Sequence, residues 1–365
     1  MSLRVGTAAI SALVVALVLS GCSLLGIPDP GASASRTPTP TPAAAFALDC
    51  PAVVDDADLT AFLGADAKPV TDVAGITTSV AAAGPLALPA VGGSSCGWAH
   101  GKDTLTVVVL PHAADAWGQL AAEHPDVATP GADYEGGVSL GGDCALTPTV
   151  WCRTNVLVGG AWLAVDLRAA AVAGLTEAGF HDAVQRMLPT VTAEESSAPA
   201  AATGAPLDCS ADDLRAQMQT TYDLPAVTPM DVDATFRVDS AVLRMGGTTL
   251  CAFGRGGGGD GGDGGSGGGT AAGSGYLGSL SVLPAAPGVY DRLRAAVLAL
   301  DASAHSETIT VKGEEYPALV WNGEVEGTPF ASVDAVVGGR WIEFHSTDTD
   351  PSRALAMVQW AAGKL

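Results

Sequence analysis

The sequence predicts an α+β protein of two tandem repeated domains, each an antiparallel sheet with helices packed on one side. Three observations carry this expectation. A Gly-Gly turn between β-forming residues occurs twice, as VGGAWLAV at 158–165 and VGGRWIEF at 337–344. The landmarks around it recur in the same order in both halves of the chain. The length of 365 residues also exceeds that of one ordinary domain.

The elements follow in chain order. Leu48-Asp49-Cys50 opens one unit and Leu207-Asp208-Cys209 the other. Acidic helix starts come next, DDADLTAFLG at 55–64 and ADDLRAQMQ at 211–219, where carboxylates complement the helix dipole. Cys96-Gly97-Trp98 is matched by Cys251-Ala252-Phe253, and β-rich runs ending in Val-Leu-Pro follow at 109–111 and 282–284. TLTVVVLP is β-branched enough for a buried strand. Helix-like segments occupy 112–123 and 288–300. The Gly-Gly pairs suit two-residue hairpins of type I′ or II′. In the second hairpin Trp341, Glu343 and His345 share one face, and Ile342 and Phe344 the other. That alternation predicts one face in the core and one in water. Phe180, Val184 and Leu188 recur at helical spacing within 176–188, with Thr176 as a cap. Asp350-Pro351 opens the matching segment, 350–362, as N-cap and first helical residue.

The units span 48–190 and 207–365, with a Ser/Ala/Pro linker at 191–206. The offset between matching landmarks grows from 155 to 173 residues across the Gly-rich stretch 254–275. A loop insertion explains this, because lengthening a surface loop costs little. The stretch contains Asp260 and Asp263. It lacks the Lys-Ser/Thr ending of a phosphate loop and the six or more oxygens of a calcium site.

At the N-terminus, Arg4 precedes an apolar run from Val5 to Leu19, a secretory signal pattern too short for a stable membrane span. It ends in Leu19-Ser20-Gly21-Cys22, which resembles the lipobox of bacterial lipoproteins. The resemblance implies that 1–21 is a cleaved signal peptide and that the Cys22 sulfur carries a diacylglycerol. Paired acyl chains anchor where one does not suffice. The rest of 22–47 is a Pro/Ser/Thr/Ala tether whose composition cannot bury a core; it reaches about 75 Å at most. The formal charge is −22 and becomes −23 without Arg4, with 16 basic against 39 acidic residues. So acidic a chain repels phosphate backbones, which argues against nucleic acid as a partner.

Without Cys22 six cysteines remain, an even number that suits an exported, disulfide-bonded chain. Shared landmarks pair Cys50 with Cys96 and Cys209 with Cys251, leaving Cys144 with Cys152 in the first unit only. Chain entropy assigns roughly 4 kcal/mol to each long bridge and roughly 2.5 to the short one. A metal site or redox pair is the alternative, but the chain has no CxxC and no histidine at ligand spacing from these cysteines.

Motifs for chemistry are sparse. The six histidines form neither HxxxH nor HExxH, and no SxxK is present. Asp55, Asp56 and Asp58 are explained by their helix N-terminus. Glu314-Glu315 precedes a strand-like YPALVW and reads as solvated. A glycosidase carboxylate pair would depend on the fold rather than on spacing. Of the seven tryptophans, Trp151 flanks the Cys144–Cys152 loop and is the binding candidate.

The Cys50, Cys96 and Trp98 arrangement, repeated as Cys209, Cys251 and Phe253, resembles actinobacterial cell-envelope lipoproteins with a Cys…Cys-x-Trp domain. Related folds serve as sensor or ligand-binding domains. The expectation is therefore a monomeric lipoprotein at the outer face of the cytoplasmic membrane, with no cofactor and no metal. It would act as a non-catalytic module for a small molecule, an envelope polymer or a protein. An envelope hydrolase and a structural spacer or adaptor are the alternatives.

Overall fold

Two antiparallel seven-stranded sheets organise the chain. The computed structural model describes residues 48–70, 87–170, 172, 174–195, 207–230, 235–256, 275–285, 288–325 and 328–365. The expected signal peptide, Cys22, its tether, residues 196–206 of the linker and 257–274 of the Gly-rich stretch lie outside the described residues.

The first sheet contains β1 (Lys68–Pro69), β2 (Ser94–His100), β3 (Asp103–Leu110), β4 (Gly137–Ser139), β5 (Asp143–Ala145), β6 (Val150–Val158) and β7 (Ala161–Ala169). Its order is β1-β2-β3-β7-β6-β4, with β5 also on β6. The second contains β8 (Val227–Met230), β9 (Thr249–Arg255), β10 (Tyr276–Pro284), β11 (His305–Val311), β12 (Glu314–Val325), β13 (Thr328–Val337) and β14 (Arg340–Ser346). Its order is β11-β12-β13-β14-β10-β9-β8. The Gly159-Gly160 and Gly338-Gly339 turns close the β6–β7 and β13–β14 hairpins, all four glycines at positive φ as a type I′ turn requires. Arg255 donates its backbone N–H to Gly275, so the Gly-rich insertion falls within the β9–β10 connection.

The described helices are α1 (Cys50–Val53), α2 (Asp56–Leu63), α3 (Ala114–Glu123), α4 (Glu177–Glu195), α5 (Asp212–Tyr222), α6 (Val238–Met245), α7 (Val289–Leu300) and α8 (Pro351–Lys364). Asp55 caps α2 by accepting from the Asp58 N–H. Thr176 accepts from Gly179 at the start of α4. Asp350 caps α8 with Pro351 in the first turn. α4 continues through Pro189 to Glu195 and so occupies the start of the expected linker. No helix among the described residues is long and apolar enough to cross a membrane.

Helices cover both faces of each sheet, not one. On β7, Leu163 faces a core with Phe180, Val184 and Leu188 of α4, while its neighbour Trp162 faces a different cluster containing Trp117 of α3. On β14, Ile342 and Phe344 meet Met357 and Val358 of α8, and Trp341 faces Leu293 and Val297 of α7. The cluster holding Trp162 also holds Trp341, so one apolar layer joins the two sheet bodies. Phe236 lies 5.0 Å from Trp162 and 4.9 Å from Trp117. Each fully buried tryptophan takes on the order of 200 Å² out of water, about 5 kcal/mol before ordering entropy is subtracted. This layer also overturns the expectation that one face of this hairpin is wet, since the side opposite Ile342 and Phe344 is covered too. Trp341 and His345 are buried, and Glu343 is half-buried.

Candidate functional site

The β13–β14 hairpin places Asp334 directly opposite Glu343. The register continues on both sides. Ser281 of β10 faces Glu343, and Leu319 of β12 faces Asp334. One step along the strands, Ser279, His345, Ser332 and Trp321 form the next row of the same face. Cross-strand neighbours hold their Cβ atoms about 5 Å apart, so the two carboxyl groups share one small volume.

Asp334 is buried, and its carboxylate accepts two indole N–H bonds. Trp341 Nε1 donates to Oδ1 at 3.0 Å and Trp321 Nε1 to Oδ2 at 3.2 Å. Tyr290 of α7 donates its hydroxyl to the Asp334 backbone carbonyl at 2.9 Å, fixing the strand from the helix side. Burial raises the Asp334 pKa to about 6, partly offset by the two indole donors. Burial and the nearby Asp334 charge push Glu343 well above the usual carboxylate range. Because the indole donors favour ionisation of Asp334 and nothing equivalent serves Glu343, Glu343 is the member that keeps a proton. Desolvation lowers His345 to about 4, so its imidazole is neutral at pH 7. Phe330 packs 4.2 Å from the His345 ring and 5.1 Å from Trp321. The hydroxyl of Ser332 is buried without a hydrogen-bond partner.

Counted from the Gly-Gly turn, the first hairpin holds different residues in these places. Asn155 stands where Asp334 does and Ala164 where Glu343 does, again directly opposite. Trp162 donates to Asn155 Oδ1 at 3.1 Å, as Trp341 does to Asp334. In the next row Arg153 and Asp166 replace Ser332 and His345. They form an ion pair, with Arg153 Nη2 3.0 Å from Asp166 Oδ2. The first sheet thus carries one anion, Asp166, held between two cations, Arg153 and Arg168. The second carries two acids and no cation at the matching places.

No protein-family model, curated protein or solved structure matches this chain. The site therefore rests on its own geometry.

The two cysteine pairs expected from the shared landmarks, Cys50–Cys96 and Cys209–Cys251, and the remaining pair, Cys144–Cys152, are bridged. Cys22 lies outside the described residues. Trp151 sits half-buried on β6, with the Arg153 guanidinium 5.3 Å from its ring centre, on the first sheet, whereas the acid pair lies on the second. Glu314 and Glu315 are exposed, with Tyr316 donating to Glu314 at 2.6 Å. Among the described residues no three His, Cys, Asp or Glu side chains converge as metal ligands. The Asp334–Glu343 pair was the residue set that motif reading passed over. Its signal was present as a difference between two hairpins otherwise alike, Asn and Ala in one and Asp and Glu in the other.

Proposed function

We propose that this chain is a lipid-anchored, extracytoplasmic binding protein, built from two copies of one sheet domain of which the second carries the ligand site. The observation that carries the binding reading is Glu343. It is a half-buried carboxyl without a hydrogen bond or ion pair among the described residues, beside a buried Asp334 already held by two tryptophans. A core built only for stability gains nothing from an unpaired acid there. The export reading draws support from three disulfides, a frequency typical of oxidising compartments. The duplication reading draws support from the common strand pattern around the two Gly-Gly hairpins.

The test is native mass spectrometry of the chain produced in its own envelope, together with palmitate labelling. A co-purifying small-molecule mass and label lost in Cys22→Ser are the expected results. A soluble, unlabelled protein without any bound mass would sink the reading.

A second reading, an envelope hydrolase, is favoured by the same desolvated acid pair, since paired carboxyl groups with raised pKa values are the equipment of acid–base catalysis. It ranks below binding because both Asp334 oxygens are occupied by indole donors. Turnover of envelope glycans or esters, abolished by Glu343→Gln, would reverse that ranking.

A further inference from the structure

We infer that the Asp334–Glu343 pair receives a protonated amine, a compact organic ammonium group whose charge takes the place of the cation that the first sheet builds in. This rests on reading the second sheet as the ligand-bearing one.

The two sheets present faces of similar construction. In the first sheet Arg153 and Arg168 both pair with Asp166, so the acid of that face has its cations beside it. In the second sheet the Arg153 place holds Ser332, and carboxyl groups, Asp334 and Glu343, stand at the Asn155 and Ala164 places. Neither acid forms an ion pair with a described residue. Arg294 of α7 is instead hydrogen-bonded to Ser306. The face therefore has the acceptors of an ion-pair site and lacks its donor.

Ser332 adds an unpartnered buried hydroxyl to the same face. It has no exposed surface, and its Oγ has no partner. It lies on the acid-bearing face, one row from Asp334 and opposite His345. Burying a hydroxyl unpaired is costly, and native structures leave few such groups. An ammonium offers three N–H donors, enough for Glu343, Ser332 and one further acceptor. The neutral His345 ring and the Ser281 hydroxyl stand in the same two rows. Trp321 and Phe330 supply aromatic surface, which suits an alkylammonium. A divalent metal fits poorly, since it needs more oxygens than two carboxyl groups provide and three ligating side chains do not converge here. The strongly acidic chain concentrates cations of any kind near the site.

The groups around the pair are His345 on β14, Tyr276 on β10, and Tyr290 with Asp291 and Arg294 on α7. An arriving ammonium favours the doubly ionised acid pair, so binding expels the Glu343 proton and strengthens as pH rises.

The experiment is titration of the full chain with ethylammonium chloride at pH 7.5, followed by tryptophan fluorescence and by calorimetry in buffers of different ionisation heat. Trp321 and Trp341 contact Asp334 directly and report its environment. The expected result is a saturable response with proton release, absent in the Asp334→Asn, Glu343→Ala double variant. That variant reproduces Asn155 and Ala164 of the first sheet, so it has a native precedent for folding. Glu343→Gln is the second, nearly isosteric variant, expected to bind about ten- to a hundredfold more weakly, the worth of one charge-assisted hydrogen bond. No saturable response to ethylammonium, an equal response in both variants, or a response to calcium alone would overturn the inference. A neutral co-purifying ligand that persists in the double variant would overturn it too, while leaving the binding-protein reading intact.

Discussion

Asp334 faces Glu343 across β13 and β14 at the position that Asn155 and Ala164 occupy across β6 and β7. Two hairpins with the same turn, the same indole donor and the same burial thus differ in the charge at their centre. An amide that accepts one indole N–H is a neutral solution to a polar site. A carboxylate that accepts two, beside a second acid, stores electrostatic free energy.

Removing the carboxyl group of Asp334 and replacing it with an amide are expected to differ sharply. Asp334→Ala leaves the Trp321 and Trp341 N–H groups without their acceptor, at a cost of about 2–4 kcal/mol. Asp334→Asn keeps an acceptor for one indole, as Asn155 does for Trp162, but turns its NH2 toward the other, and should cost about 1–2 kcal/mol less than Asp334→Ala. Urea unfolding of the two variants measures the difference, and equal midpoints would contradict this account.

The cluster also sets a pH signature. Asp334 has a folded pKa of about 6, above its unfolded value of 3.8, so its stabilisation is full below pH 4 and is lost as pH rises through 6. Glu343 acts in the same direction. His345, lowered from 6.5 to about 4, acts oppositely, and its contribution is lost as pH falls from 6.5 to 4. Tyr276 and Tyr290, which face the same groups, are raised and stay neutral throughout this range. The Asp334 and His345 effects, roughly 3 kcal/mol each, largely cancel between pH 4 and 6. In the Asp334→Asn, Glu343→Ala variant only the histidine effect remains. Its melting temperature should therefore climb more steeply from pH 4 to 6.5 than that of the parent chain.

The apolar layer between the sheets should dominate their coupling. Phe236→Ala removes a ring lodged between Trp117 and Trp162 and is expected to cost about 3–5 kcal/mol. It should split calorimetric unfolding into two transitions, one per sheet body. Arg244→Ala breaks the ion pair to Glu123 on α3, which is solvent-screened, and should leave the melting temperature unchanged. If the two variants behaved alike, the layer would not be what joins the sheets.

The disulfides should rank by the length of chain they close. Replacing both cysteines of Cys50–Cys96 or Cys209–Cys251, which close separations of 46 and 42 residues, should each cost about 4 kcal/mol. Loss of Cys144–Cys152, a separation of 8, should cost about 2.5 kcal/mol. Guanidinium midpoints of the three double-serine variants give the order. The unreduced chain should weigh six hydrogens less than the reduced one.

Much of this fold was legible in the sequence because it is encoded locally. The Gly-Gly pairs fix their hairpins through positive φ, Asp350-Pro351 and Thr176 fix helix starts, and the recurring Cys landmarks fix the disulfide partners. Strand alternation also separated Trp341, Glu343 and His345 correctly from Ile342 and Phe344. It could not say what would lie against either face. Alternation records only that two faces differ, and a face that looks polar along one strand can be covered by helices and a second sheet distant in the chain. Tertiary structure alone decided that α3, α6 and α7 meet in one layer, and that His345 and Asp334 are shut away from water. It also decided that Asp334 and Glu343, nine residues apart and unremarked by any motif, stand opposite each other. Their altered acidity arises from desolvation and mutual repulsion, which depend on three-dimensional distance and have no counterpart in sequence spacing.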